Sequence, residues 1–247
     1  MKTFATAALG AALLAATPAM AQDAPNTGFY IALGVGAASV QDVDLTYSDV
    51  GGTFNGTGAR DTLVTSADTK AAADFRVGLG YDFGPVRADL QIDYSRNRVT
   101  GLTVRSLNGA NVTLSAADIA QICDYTEVED CSGSGNRISF RGPKVRQASV
   151  LANLWYDIPL GAVVTPYVGG GVGIGGFEVE EEGKARFSYQ LGAGVALNLS
   201  SAVAVTADYR HRWINGATFT DSEDPGYAFR VGKLRTNIFS AGLRFTF

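Results

Sequence analysis

From Val86 to Ser95 the chain alternates without a break. Val86, Ala88, Leu90, Ile92 and Tyr94 take one set of positions, and Arg87, Asp89, Gln91, Asp93 and Ser95 the other. A period of two sustained over ten residues predicts a β-strand with one apolar and one polar face. The segment before it repeats the pattern. Ala73, Phe75, Val77, Leu79, Tyr81 and Phe83 fall on one face and Asp74, Arg76, Gly78, Gly80 and Asp82 on the other, with Gly84-Pro85 marking a tight turn between the two strands. At the C-terminus Phe239, Ala241, Leu243, Phe245 and Phe247 share a face opposite Ser240, Gly242, Arg244 and Thr246. Followed along the chain, the same period predicts eight strands at about 28–40, 72–83, 86–98, 144–158, 166–178, 185–198, 202–213 and 233–247.

These strands are long enough for a tilted membrane crossing. Their connections divide into long segments (41–71, 99–143 and 214–232) and short ones (84–85, 159–165, 179–184 and 199–201). Apart from the 179–184 link, the long ones fall at one end and the tight turns at the other, as in outer-membrane barrels. A soluble eight-stranded ligand-binding barrel turns its apolar face inward, so the position of the aromatics decides between the two. On the apolar face Phe29, Tyr81, Phe83, Tyr156, Phe245 and Phe247 lie at the short-turn end, and Phe75, Tyr94, Phe187, Tyr189, Tyr209 and Trp213 lie toward the long loops. Two such belts separated by an uncharged stretch of Ala, Val, Leu and Ile predict interfacial girdles on a lipid-facing wall. The fold expected is therefore all-β: an eight-stranded antiparallel up-and-down transmembrane β-barrel with its charges in the lumen, in the outer membrane.

Composition agrees. Thirty glycines, 10% aromatic residues and only seven prolines suit a turn-rich β-protein. After residue 21 no uncharged apolar run reaches the length of a transmembrane helix. The first 21 residues read as an export signal: Lys2 for the positive start, an apolar run from Phe4 to Ala16, and Ala19-Met20-Ala21 before Gln22, predicting cleavage between Ala21 and Gln22. That leaves residues 22–247 as one barrel domain. The net charge is −4, or −5 without that segment, and no basic stripe is offered to nucleic acid. Export implies an oxidising compartment. Cys123 and Cys131, the only two thiols, are then expected to form a local disulfide that staples the second long loop.

The run Gly78-Leu79-Gly80-Tyr81-Asp82-Phe83-Gly84-Pro85-Val86-Arg87-Ala88-Asp89 resembles the second hairpin of the outer-membrane β-barrel family that includes opacity proteins and alphaproteobacterial surface antigens. Ser149 to Asp157 with Thr165 to Gly173, then Tyr189 to Val195, then Ala207 to Arg210, agree with it, and the resemblance extends over every strand. It implies a Gram-negative outer-membrane protein with extracellular antigenic loops, porin-like, structural or adhesive, with no catalytic residues to carry over. The long second loop with its two cysteines departs from the family's usual pattern.

An eight-stranded barrel is just wide enough for its own side chains, whereas open aqueous channels need about sixteen strands. Asp74, Asp82, Asp89, Asp93 and Asp208 are expected inside with Arg76, Arg87, Arg186, Arg210, Arg212 and Arg244. Unpaired buried charge is prohibitively costly, so these groups are expected to pair nearly one for one and to plug the lumen; a narrow ion or solute path is the alternative. Gly169, Gly171, Gly173 and Gly175 on an inward face leave space for side chains reaching across, or for a small water-filled cavity. No crossover helix follows them, which removes a nucleotide-binding reading.

The sole histidine, His211, falls on the apolar face near the outer rim. Lipid A deacylases pair such a histidine with a serine two positions on, but here that position is Trp213, so an acyl-transfer dyad has no nucleophile. Glu178, Glu180, Glu181 and Glu182 cluster at a hairpin tip without the spacing of a defined metal site. Neither a metal nor a cofactor is expected. Phe239, Leu243, Phe245 and Phe247 resemble the terminal signal read by the outer-membrane assembly machinery. The expected partners are that machinery, outer-membrane lipids and lipopolysaccharide, with host or environmental surface ligands reached through the long loops, which are expected to vary freely without touching the barrel.

Overall fold

The computed structural model describes residues 27–50, 58, 60–126, 128–160, 163–179, 182–220 and 226–247. The proposed leader and its cleavage point at Ala21 and Gln22 lie outside them. Eight long strands carry the fold: β1 (Gly28–Val40), β4 (Ala72–Asp82), β5 (Val86–Leu107), β9 (Lys144–Asp157), β10 (Val164–Val179), β11 (Glu182–Asn198), β12 (Val203–Ile214) and β15 (Leu234–Thr246). Between them stand β2 (Val43–Asp49), β3 (Asp61–Lys70), β6 (Ala110–Asn111), α1 (Ala116–Thr126), β7 (Glu129–Ser134), β8 (Arg137–Arg141), β13 (Ala217–Thr220) and β14 (Ala228–Val231).

Each long strand pairs antiparallel with its neighbour in the order β1-β4-β5-β9-β10-β11-β12-β15, and β15 returns to β1 through Leu33 opposite Leu243 and Ala37 opposite Phe239. The ring is closed, so the barrel has no open edge. Among the described residues no helix is long and apolar enough to cross a membrane. The crossing is made by strands.

The burial alternation is that of a protein turned inside out. On β9 Asn153 is 3% exposed and its neighbour Leu154 is 63% exposed; Leu151, Trp155 and Ser149 are buried while Val150 and Tyr156 face out. Phe29, Tyr81 and Phe83 touch one another at the short-turn end, with ring centroids 5.0 and 4.7 Å apart. Tyr189 stacks on Trp213 at 4.7 Å toward the other end. Both aromatic belts stand where the alternation puts them. At the tight end Gly84, with φ +104°, takes the left-handed conformation that lets Phe83 N donate to Val86 O.

The long connections correct the expectation that they leave the barrel untouched. The strand predicted to stop near residue 98 runs on to Leu107, and β3 pairs with that extension while β2 pairs with β3 and β14 with β2. Val99-Thr100 and Thr103-Val104 on β5, with Val64-Thr65 on β3, are β-branched runs that suit strands. The ribbon encloses an apolar cluster of Val40, Val43, Phe177, Ile214, Ala217, Val231 and Leu234 over the outer end of the barrel. At the head of α1, Ser115 Oγ accepts from Asp118 N (3.2 Å) while Asp118 Oδ2 accepts from Ser115 N (2.8 Å), a reciprocal cap that holds the Asp118 carboxyl below its ordinary pKa. Cys123 of α1 is disulfide-bonded to Cys131 of β7, with Cα atoms 5.7 Å apart.

The outward wall makes a direct prediction. Ile92 is 57% exposed and pairs with Val77, between Phe75 and Tyr81 on the apolar band. Ile92→Arg is expected to cost about 2–4 kcal/mol in equilibrium unfolding from lipid bilayers. A cost below about 0.5 kcal/mol would place this face in water.

Candidate functional site

The inward positions converge on the lumen in layers. Nearest the short turns, Arg87 grips Asp157 bidentately, Nε to Oδ2 at 2.8 Å and Nη2 to Oδ1 at 2.6 Å. Arg244 approaches the same carboxylate at 3.8 Å. The Arg87 guanidinium lies 5.0 Å from the ring centre of Tyr167 and 5.8 Å from that of Tyr30, within cation–π range.

The next layer is centred on Asp89, which accepts from Tyr30 Oη (2.8 Å), Trp155 Nε1 (2.9 Å) and Asn153 Nδ2 (2.6 Å). Above it Asp208 receives Arg76 through both terminal nitrogens (3.0 and 3.1 Å), Arg210 Nε (2.8 Å), Ser240 Oγ (2.9 Å) and Tyr167 Oη (3.1 Å). Arg210 also donates through Nη1 to Gln91 Oε1 and lies 4.5 Å from the ring centre of Trp155. In the outermost polar layer Arg212, fully buried, stands 3.5 Å from Asp93 and 4.0 Å from Asp74, and donates to Ser149 Oγ at 2.9 Å. Gln91 Nε2 donates to both oxygens of Asp93, at 2.9 and 2.7 Å.

These bonds run across the barrel as well as around it. In the ring β12 is four strands from β5 in either direction, and β15 is four strands from β9. The Arg210–Gln91 bond and the Arg244–Asp157 approach therefore span the full diameter. Glycine makes room for them. A Cβ on Gly34 would stand 2.7 Å from Arg76 Nη2, and one on Gly169 would stand 2.6 Å from Trp155 Cε3. Of the two uses foreseen for the glycine-rich strand, passage for large side chains is realised at Gly169; a cavity of about 20 Å³ remains beside Arg76, Arg87, Asp89, Tyr167 and Arg244.

The structure changes the expected roster in three ways. Asp157 belongs to the network and was missed, although Ser149, Asn153 and Asp157 share one face of β9 and the alternation already points Asp157 inward. Arg186 faces the lumen but stands at its outer end, half-buried, donating to the carbonyls of Gly216 (3.2 Å) and Ala185 (3.1 Å) rather than to a carboxylate. Pairing is also not one for one: Asp208 and Asp157 each hold two arginines, Arg212 lies between two acids, and Asp89 and Asp82 rely on neutral donors, Asp82 on Gly84 N at 2.8 Å. Shared partners arise because rings of inward side chains meet at the barrel axis, where no face is private. Gln91, Asn153, Gln190 and Tyr167 complete the network, and nothing in their residue type marks them apart from their inward parity.

Outside the lumen, Glu178 pairs with Arg146 at 2.6 Å, while Glu180 and Glu181 lie outside the described residues. His211 Nδ1 stands 2.7 Å from Asn237 Oδ1, which also accepts from Tyr209 Oη at 2.8 Å, and the His211 ring lies 4.2 Å from that of Trp213. Phe239, Leu243 and Phe247 face outward on or just beyond β15, the strand that closes the ring, and Phe245 is half-exposed.

Asp208→Ala leaves two buried guanidiniums without their carboxylate and is expected to cost about 3–5 kcal/mol, read as a lowered urea midpoint in refolded protein. Glu178→Ala removes an exposed pair and is expected to cost less than about 1 kcal/mol. Equal costs would mean that the inner network does not bear on stability.

Sequence comparison finds relatives in Brucella. An uncharacterized protein of Brucella abortus strain 2308 is 26% identical over 166 residues, covering 60% of this chain and 53% of the relative, so the chain spans about half the length of the curated relatives it matches. Among solved structures the fold is similar to that of the outer membrane protein OprG from Pseudomonas aeruginosa, with TM-score 0.56 and 13% identity over 91% of this chain and 99% of that one. Neisserial surface protein A is also similar, with TM-score 0.45 and 16% identity over 89% of this chain and 97% of that one. The model of the family described as outer membrane protein beta-barrel domain matches residues 7–247. With the closed ring and the outward apolar wall, this shows that the chain belongs to that family and is an integral protein of the outer membrane.

Proposed function

We propose that this barrel is a non-enzymatic structural and surface-interaction protein with a closed lumen. The observation that carries this reading is the pair of full-diameter links, Arg210 to Gln91 and Arg244 to Asp157, set among buried arginines that share carboxylates. An aqueous path would have to break several of these contacts at once, each inside a low-dielectric interior. Interaction then falls to the outer ribbon of β2, β3, β13, β14 and the end of β5, which presents polar backbone and side chains beyond the membrane and is suited to surface ligands. The contacts of His211 are to Asn237, Tyr209 and Trp213, and among the described residues none of these contacts is a serine nucleophile for acyl transfer.

A narrow channel is the second reading. It is favoured by the small cavity beside Arg244 and by Arg244 Nη1, which has no hydrogen-bond partner among the described residues. Rearrangement of that side chain would widen the layer nearest the short turns, in which Arg87 holds Asp157.

Planar-bilayer conductance separates the two. The refolded wild-type protein is expected to be silent, and Arg87→Ala combined with Arg244→Ala to give discrete steps. Steps from the wild type would establish the channel, and silence from a folded double variant would show that these arginines do not close the lumen. The proposed assembly signal has its own test. Deleting Phe247 is expected to reduce the amount of barrel in cell outer membranes far more than the refolding yield in detergent, whereas equal defects would leave Phe247 a packing role alone.

A further inference from the structure

The outward face of β12 and β15 changes from apolar to polar in steps toward the long loops. Read up from the short-turn end, Ala207 pairs with Ala241, Tyr209 with Phe239, His211 with Asn237 and Trp213 with Arg235. The two alanines, with Ala193 of β11 beside Tyr209, leave a shallow, nearly flat depression on the wall, flanked by Tyr209 and Phe239 with ring centres 4.9 Å apart. It is apolar, lies on the membrane-facing side, and is open along its length.

Above the depression the surface becomes polar and then cationic. Asn237 Oδ1 takes hydrogen bonds from Tyr209 Oη and His211 Nδ1, which commits Nδ1 to donating and leaves His211 Nε2 pointing away from that pair. Arg235 is exposed and Lys233 lies 5.5 Å from the ring centre of Tyr189, with its Nζ 3.4 Å from Tyr189 Oη. Neither has an acidic partner among the described residues, in contrast to Arg146, which holds Glu178 at 2.6 Å. Depth is fixed by the strand itself. From Phe245 in the lower belt to Arg235 is ten residues, which at about 3.3 Å each and a tilt of about 40° rises about 25 Å, the height of the apolar band. Arg235 and Lys233 therefore stand at the level of the outer headgroups, with Trp213 and Tyr189 marking the interface.

We propose that this ladder is a binding site for a phosphate-bearing lipid of the outer leaflet, with one acyl chain in the depression over Ala207 and Ala241 and the phosphate held by Arg235 and Lys233. The chemistry is complementary at both ends. A saturated chain fills a step of missing side chains that isotropic lipid would pack less closely. Two cations without acidic partners among the described residues, set among aromatic rings that thin the water around them, favour a dianionic group over a zwitterionic one. His211 and Asn237 sit between the two parts, where a lipid carries its ester and hydroxyl groups, and offer unpaired donor capacity through Asn237 Nδ2.

The site rests on the membrane placement of the barrel and is independent of whether the lumen conducts. It is tested with full-length protein expressed in an outer membrane and purified in mild detergent, by native mass spectrometry against added bisphosphorylated lipid A, its dephosphorylated form, and phosphatidylethanolamine. Wild-type protein is expected to retain the bisphosphorylated lipid at least about tenfold better than the other two. Arg235→Ala with Lys233→Ala should remove that preference, and Ala207→Leu, which fills the step between the alanines, should weaken retention of lipid A while both variants keep the heat-modifiable mobility of a folded barrel. Arg146→Ala, at the same height but ion-paired in the wild type, is expected to change nothing. Equal retention of the phosphorylated and dephosphorylated lipids, or undiminished binding by the Arg235/Lys233 variant, would overturn the phosphate site. Undiminished binding by Ala207→Leu would overturn the acyl-chain site. Assembly of two copies through this face, seen as a dimer that Ala207→Leu abolishes without change in lipid retention, would overturn both.

Discussion

A backbone amide left unpaired in hydrocarbon costs several kcal/mol, and that single constraint organises this molecule. It forbids an open edge, so the last strand must find the first. Phe239 opposite Ala37 and Leu243 opposite Leu33 are the contacts through which it does so. Once the ring is closed at eight strands its radius is set, and with it the width of the lumen and the reach needed to cross it. Everything inside follows from that width: long side chains from opposite walls meet, and positions beneath them are driven to glycine, as at Gly34 under Arg76 and Gly169 under Trp155.

The interior is a desolvation problem with an electrostatic answer. Arginines at 76, 87, 210, 212 and 244 are each at or below 8% exposed, and none can shed its charge. They persist because every one is brought near a carboxylate, two of which serve two guanidiniums each. Neutral donors then complete the coordination: Tyr167 and Ser240 on Asp208, Tyr30, Trp155 and Asn153 on Asp89. A network of this kind is costly to break from one side, since removing a single partner leaves a buried charge uncompensated. The apolar cluster of Val40, Phe177, Ile214 and Leu234 lies above it, held by the ordinary hydrophobic effect. Two layers of different chemistry are thus stacked along one axis.

The outside surface inverts these rules. There apolar side chains are the default and a polar one needs a reason. Most of the wall obeys, which is why the row of His211, Asn237 and Arg235 on β12 and β15 stands apart, and why its height relative to Phe245 matters more than its identity.

Alternation alone determined the eight membrane strands, the direction in which each face points, and both aromatic belts, because a β-strand's side chains alternate whatever the rest of the chain does. It also pointed the charges of these strands inward, nine of those expected being buried and Asp89 partly so, and the same parity on β9 points Asp157 inward. It could not say which arginine meets which acid. That depends on strand stagger around the closed ring, which brings Arg210 to Gln91 and Arg244 to Asp157 across the diameter although no local pattern relates them. Nor could it show that residues 41–71, 99–143 and 214–232 contribute strands and an apolar cap, since register shifts at Val64/Thr65 and Asp68/Thr69 break the period of two and bury Thr65, Ser66 and Ala67 in succession. Parity is a property of the strand and survives in one dimension. Partnership is a property of the closed barrel and exists only in three.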